Sequence, residues 1–135
     1  MPRNESFTYH LSEQPAHVVE GGTVKVVDPA TFPIAEMFSA AIVTVKPGAM
    51  REIHWHPNGD EWTFFIEGQG RATLFTPPAS ANTFDFRAGD VGYFPKSNSH
   101  YVENTGTTDL VFVEVLQADH FSGMSHLLQL FSFSF

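Results

Sequence analysis

Three histidines and one glutamate in this sequence stand at spacings that could hold a metal ion. His54 and His56 are two residues apart, so on a β-strand both imidazoles point to one face. Pro57-Asn58-Gly59-Asp60 reads as a turn, after which Glu61 is expected to begin a new strand and return its carboxylate to the same face. Thr63 and Phe65 would continue that face, and Glu67-Gly68-Gln69-Gly70 is expected to make the next hairpin. His100 opens another strand much further along. Three imidazoles and a carboxylate form a mixed N/O set that suits Mn(II), Fe(II), Ni(II), Cu(II) or Zn(II). Four protein ligands around an octahedral ion leave two positions for water or substrate, which would allow catalysis. With seven histidines in the chain, two at this spacing could arise by chance. Four ligands at these spacings inside a β pattern are much harder to reach that way. His10, His17 and His126 match no such spacing and are expected to be surface or packing residues.

The elements that must position these groups read as strands. Short apolar runs bounded by turn signals recur about every ten residues: HVVE, TVKVVD, FSAAIVTV, EWTFFIE, RATLF, TFDF, VGYF, HYVEN and LVFVEVLQ. About eight or nine strands at that interval predict an all-β sandwich or barrel. The 10 Gly and 9 Pro serve as punctuation, and 14 Phe within a 42% hydrophobic composition supply a core for 135 residues, the length of one domain. Residues 1–16 read as a polar arm, 17–129 as the barrel domain and 130–135 as an apolar tail, in which Phe131, Phe133 and Phe135 alternate with serines. Only Asp119 to Gln129 has a weakly helical pattern, so a short C-terminal helix is expected. Trp55 and Trp62 are expected in core or barrel-rim packing.

Composition removes several functional classes. A net charge of -8 disfavours binding to nucleic acid or to an anionic membrane surface, although a metal and one arginine can reverse the field locally for a small anion. The absence of cysteine excludes disulfides, thiolate ligands and a cysteine nucleophile. No segment reaches the ~20 apolar residues of a membrane-spanning helix. The first residues carry no basic segment followed by an apolar stretch. The expectation is a soluble cytoplasmic protein, or a secreted one if the chain is a processed form.

Two blocks carry a resemblance. Gly48-x5-His54-x-His56-x4-Glu61-x6-Gly68 and Gly89-Asp90-x4-Pro95-x4-His100-x3-Asn104 resemble the two signature motifs of the cupins over roughly residues 20–120. Ser97 stands where the second motif usually has glycine. Pro47 to Pro57, Gly89 to Tyr93, His100 to Asn104 and Leu110 to Glu114 are similar to the second domain of the two-domain oxalate decarboxylases, the fungal ones especially.

The resemblance implies a jelly-roll barrel and one metal ion, manganese first, bound by His54, His56, Glu61 and His100. It also implies that Arg51 binds a substrate carboxylate such as that of oxalate, and that Glu114 transfers a proton, with dioxygen assisting. In LVFVEV, Glu114 interrupts an apolar alternation on both faces, as a buried carboxylate would. The family's decarboxylating site takes its final proton from a lid glutamate. The corresponding segment here, Phe121-Ser122-Gly123-Met124-Ser125, contains no carboxylate, and Asp119 and His120 just before it are candidate substitutes.

Three functions therefore stand beside one another: an oxalate decarboxylase or oxidase, another metal-dependent cupin dioxygenase on a small organic substrate, and a non-catalytic metal-binding module. Because the related enzymes pair two barrels and this chain has one, a homodimer is expected, with the N-terminal arm and the apolar tail as pairing segments.

Overall fold

The computed structural model describes residues 6–125, with the side chains of Met124 and Ser125 left aside. The alternation read from the sequence becomes eleven strands: β1 His17–Val19, β2 Gly22–Val27, β3 Ser39–Val45, β4 Met50–Trp55, β5 Glu61–Glu67, β6 Gln69–Thr76, β7 Ser80–Arg87, β8 Val91–Phe94, β9 His100–Asn104, β10 Leu110–Leu116 and β11 Met124–Ser125. They form two antiparallel sheets, one ordered β1-β2-β3-β10-β5-β8 and the other β11-β4-β9-β6-β7. The strand order, with β10 between β3 and β5 and β9 between β4 and β6, is that of a jelly roll.

Period-2 burial explains why these strands face each other across one core. In β3, Ser39, Ala41, Val43 and Val45 are buried, and in β10 so are Leu110, Phe112, Glu114 and Leu116. Phe65 of β5 stacks on Phe86 with ring centroids 4.5 Å apart and tilts against Phe112 at 5.4 Å. Asn104 of β9 ties the two sheets together, donating from its amide to the Val45 and Thr108 carbonyls at 2.8 Å each.

The turn at 57–60 forms as expected, with Glu61 opening β5, whereas the turn at Gly68 departs from the hairpin expected of it. Residues 57–60 connect β4 in the smaller sheet to β5 in the larger one, and Gly68 connects β5 back to β6 in the smaller sheet. Neither turn closes a hairpin, because β10 and β9 occupy the neighbouring positions. Glycine is required at 68: its φ is 86°, and a Cβ there would lie 2.4 Å from the Asp109 carbonyl oxygen.

The helix expected over 119–129 is absent from its described part. Asp119–Gly123 is irregular, and Met124 and Ser125 pair with Trp55 and His54 of β4. A weak helical pattern in so short a segment yields to the pairing offered by the open edge of β4. Residues 126–129 and the apolar tail lie outside the described residues. Within the expected arm, Leu11–Glu13 forms a single 3-10 turn beside β2, where Gln14 donates to the Val26 carbonyl and Lys25 to that of Ser12.

Trp62 is not a core residue. It is 57% exposed on the outer face of β5, beside exposed Phe64 and Ile66, with Val91 and Tyr93 paired next to them on β8. No helix among the described residues is long and apolar enough to cross a membrane.

Candidate metal centre

β4 and β9 run antiparallel with His54 directly opposite His100, which sets their ring centroids 4.4 Å apart inside the barrel. His56 follows two residues on, its backbone held by a hydrogen bond from the Ser97 amide to the His56 carbonyl at 2.9 Å. Glu61, the first residue of β5, comes from the opposite sheet and meets the imidazoles across the interior rather than from the same face. All four side chains are buried, and one ligand atom from each lies within 4.8 Å of the others.

The hydrogen bonds assign a role to each ring nitrogen. A carbonyl can only accept, so Nδ1 is the protonated atom in all three rings: His54 donates to Glu52 at 2.7 Å, His56 to Ser122 at 2.5 Å and His100 to Asn98 at 3.0 Å. Nε2 is therefore the nitrogen each ring has left for a cation, and at His100 it also lies in hydrogen-bond reach of the Glu61 carboxylate, which can only accept, at 3.1 Å. Arg51, which can only donate, points its Nε at His54 Nε2 at 3.2 Å. The Glu61 carboxylate is 2.9 Å from His56 Nε2 and 3.1 Å from His100 Nε2. His56 Nε2 is nonetheless buried with no aligned hydrogen-bond partner. Electron pairs and a carboxylate converging on one buried point, each ring tethered through its other nitrogen, are what a cation requires. The donor set fits a divalent transition metal.

Electrostatics follow from burial and from these contacts. Burial, with Arg51 adding, holds His54 well below the usual histidine range. Burial would also lower His56, but the Glu61 carboxylate outweighs it and raises this imidazole. Glu61 would be raised by burial, yet His100 and His56 hold it well below the usual carboxylate range. Its other oxygen accepts a 2.5 Å hydrogen bond from Thr63.

Arg51 and Glu114 join this group. Arg51 pairs with Val102 and His54 with His100, so three steps along β4 oppose two along β9. That bulge brings residues three apart onto one face, which regular alternation would forbid. The Arg51 Nε lies 3.2 Å from Glu114 Oε1. Glu114 is fully buried in β10, neither oxygen has an aligned hydrogen bond, and burial pushes its pKa up to about 7 although Arg51 opposes the shift.

Asp119 and His120 form an exposed pair at 2.7 Å, and the His120 carbonyl accepts from Asn58 at 2.9 Å. His10 and His17 are exposed, while His126 lies outside the described residues.

Several contributors had no sequence reading of their own. Phe94 stacks on His100 at 4.4 Å and 18°, and the alternation of VGYF, in which Gly92 and Phe94 are the buried pair, could have signalled it. Phe121 sits edge-on to His56 at 5.4 Å and 72°. The Ser122 carbonyl carried no signal, because any residue would supply it.

A jelly roll that directs three imidazoles and a carboxylate into its interior defines a metal-binding β-barrel. The cupin family model matches residues 9–134, and the chain belongs to that family. It is 48% identical over 119 residues to oxalate decarboxylase OxdC of Bacillus subtilis, which covers 88% of this chain and 31% of that protein. Against a probable oxalate decarboxylase of Arthroderma benhamiae the identity is 45% over 125 residues, 90% of this chain and 31% of the relative. A solved structure of the B. subtilis enzyme, a protein with Mn(II) centres, superposes with a TM-score of 0.92 at 46% identity, over 94% of this chain and 34% of that one. The chain thus spans about a third of the length of these relatives.

Proposed function

We propose that this barrel is the catalytic domain of an oxalate-degrading enzyme, with manganese held by His54, His56, Glu61 and His100. The observation that carries the reading is the Arg51–Glu114 pair, 3.2 Å apart and beside the four ligands. It joins a carboxylate-binding cation to a buried proton acceptor next to a metal-binding group. Identity of 44–48% to oxalate decarboxylases over nearly the whole chain supports the substrate, and the Mn(II) centres of the B. subtilis relative support the metal.

The metal, when bound, supplies Lewis acidity and one-electron exchange with dioxygen. The chain's own residues do the rest. Arg51 meets Glu114 and His54 through Nε, and its planar guanidinium fork has the geometry to pair with a substrate carboxylate. Glu114, with a pKa of about 7, can take the proton of hydrogen oxalate near neutrality and return one later. The C–C bond then breaks and carbon dioxide leaves. A proton delivered to the remaining carbon gives formate. Without it, two electrons pass to dioxygen, which takes up the proton held by Glu114 and one from water to give hydrogen peroxide as the second carbon dioxide leaves.

The barrel also has a surface suited to a second copy. The outer face of β3, β10, β5 and β8 presents Ile42, Val113, Val115, Trp62, Phe64 and Tyr93 side by side, and a contiguous apolar face of this kind marks an interface. We infer a homodimer through it.

The manganese-loaded protein is to be incubated with oxalate in air while oxalate, formate and hydrogen peroxide are measured. Consumption of oxalate is expected, abolished by Glu114→Gln with metal content unchanged. Intact oxalate in the presence of fully loaded protein overturns the proposal.

A further inference from the structure

His54 and His100 are oriented from within their own chain segments, each donating Nδ1–H to the carbonyl two residues before it. His56 differs. Its acceptor is the Ser122 carbonyl, sixty-six residues later, in the segment that follows β10. The same segment packs Phe121 edge-on against the His56 ring and brings Gly123 over it, where a Cβ would lie 3.5 Å from His56 Cε1. It is fastened on both sides of these contacts. Before them, the His120 carbonyl accepts from Asn58, in the turn between His56 and Glu61. After them, Met124 and Ser125 pair with Trp55 and His54.

We propose that residues 119–125 form a strap whose docking retains the metal: by presenting the Ser122 carbonyl to His56 it makes strap closure and ion retention a linked equilibrium. The inference rests on the metal reading above. While the strap is docked, Nδ1 keeps its proton and Nε2 keeps its lone pair directed at the other three ligands. When the strap leaves, His56 loses its tether and its packing partner together, whereas His54 and His100 keep theirs.

Besides the Ser122–His56 bond, the anchors are one amide-to-carbonyl hydrogen bond, two strand pairs and the Phe121 ring, which packs edge-on to His56 and against the core. Segments with so few contacts open at the low end of the local-stability range. Partners that orient a ligand histidine are worth about 10–100-fold in metal affinity. Linkage requires the effect to run both ways, so a bound ion must also hold the strap down. Ser122 is on this account a positioning residue, acting through its backbone, and no choice of side chain at 122 reports on it.

The test loosens either anchor in the full chain. Asn58→Ala removes the hydrogen bond at one end, and Phe121→Ala removes the ring that packs on His56. Two quantities are followed: the rate at which bound Mn(II) is lost to excess EDTA, and the hydrogen exchange of amides 121–125 with and without Mn(II). Both variants are expected to release manganese at least tenfold faster than the unaltered protein. Manganese is expected to slow exchange at 121–125 in the unaltered protein, and less so in the variants. Unchanged release in both variants, or exchange at 121–125 indifferent to manganese, overturns the strap while leaving the metal site standing. An unaltered protein that retains no Mn(II) overturns the metal reading and the strap with it.

Discussion

Replacing Glu114 by glutamine should make the metal-free protein more stable at alkaline pH and leave its stability in acid almost unchanged. The side chain is fully buried in β10, with the Arg51 guanidinium as its charged neighbour at 3.2 Å and no aligned hydrogen bond to either oxygen. Burial raises its pKa from 4.5 to about 7 in the folded protein. Between those values the native protein keeps a proton that the unfolded chain has released. A raised folded-state pKa contributes stability that is complete below 4.5 and is lost as pH climbs through about 7. At about 1.4 kcal/mol per pH unit, the full loss is roughly 3 kcal/mol. Glutamine has nearly the same shape and does not titrate. At pH 5 Arg51 faces an uncharged side chain in both forms, and above 7 its attraction for the Glu114 carboxylate is already contained in the pKa of about 7.

The assay is urea unfolding of EDTA-dialysed protein at pH 5 and pH 8, for both forms. With a slope of about 2 kcal/mol/M, the unaltered protein should lose about 1 M more of its urea midpoint between the two pH values than Glu114→Gln does. The site histidines are present in both proteins and largely cancel in the comparison. Parallel pH dependences would refute the argument, because they would mean that Glu114 is ionised in the folded state at no cost.

Saturation with Mn(II) at a hundred times its dissociation constant should stabilise the protein by about 2.7 kcal/mol, visible as a rise in Tm on the order of 10 °C that His100→Ala abolishes in differential scanning fluorimetry. Trp62→Glu places a charge on the apolar outer face of β5, where Trp62 is 57% exposed. Sedimentation velocity should show the proposed dimer in the unaltered protein and a monomer in the variant, with circular dichroism and the manganese-induced rise in Tm retained. Ser97 adopts a left-handed φ of 65°, a conformation that favours glycine. Ser97→Gly should raise stability by about 0.5–1 kcal/mol in chemical denaturation, since only the L-residue is strained there.

Much of this protein is determined by short-range pattern. The runs FSAAIVTV, EWTFFIE and LVFVEVLQ specify strands, because a strand's side chains change face with every residue whatever the strand pairs with, but not which face is buried: in EWTFFIE, Trp62, Phe64 and Ile66 are exposed while Glu61, Thr63 and Phe65 are buried. The i, i+2 spacing places His54 and His56 together for the same reason, and the polar interruption at Glu114 is visible as a departure from an apolar run. The sheet to which each strand belongs is a different matter. The turns at 57–60 and at Gly68 have the composition of hairpin loops, and only the competition of β9 and β10 for the neighbouring edges sends them across the barrel.

Arg51 shares a face with His54 only because β4 carries an extra residue against β9, a property of the pair of strands and not of either one. The helical pattern of 119–129 is overruled in its described part by the open edge of β4. The acceptor for His56 is a backbone carbonyl, identical in every residue, so nothing in the side chains of 121–123 announces it. Side-chain periodicity is local and readable in one dimension. Strand pairing, bulges and main-chain hydrogen bonds depend on which distant segment wins an edge, and that is decided in three dimensions.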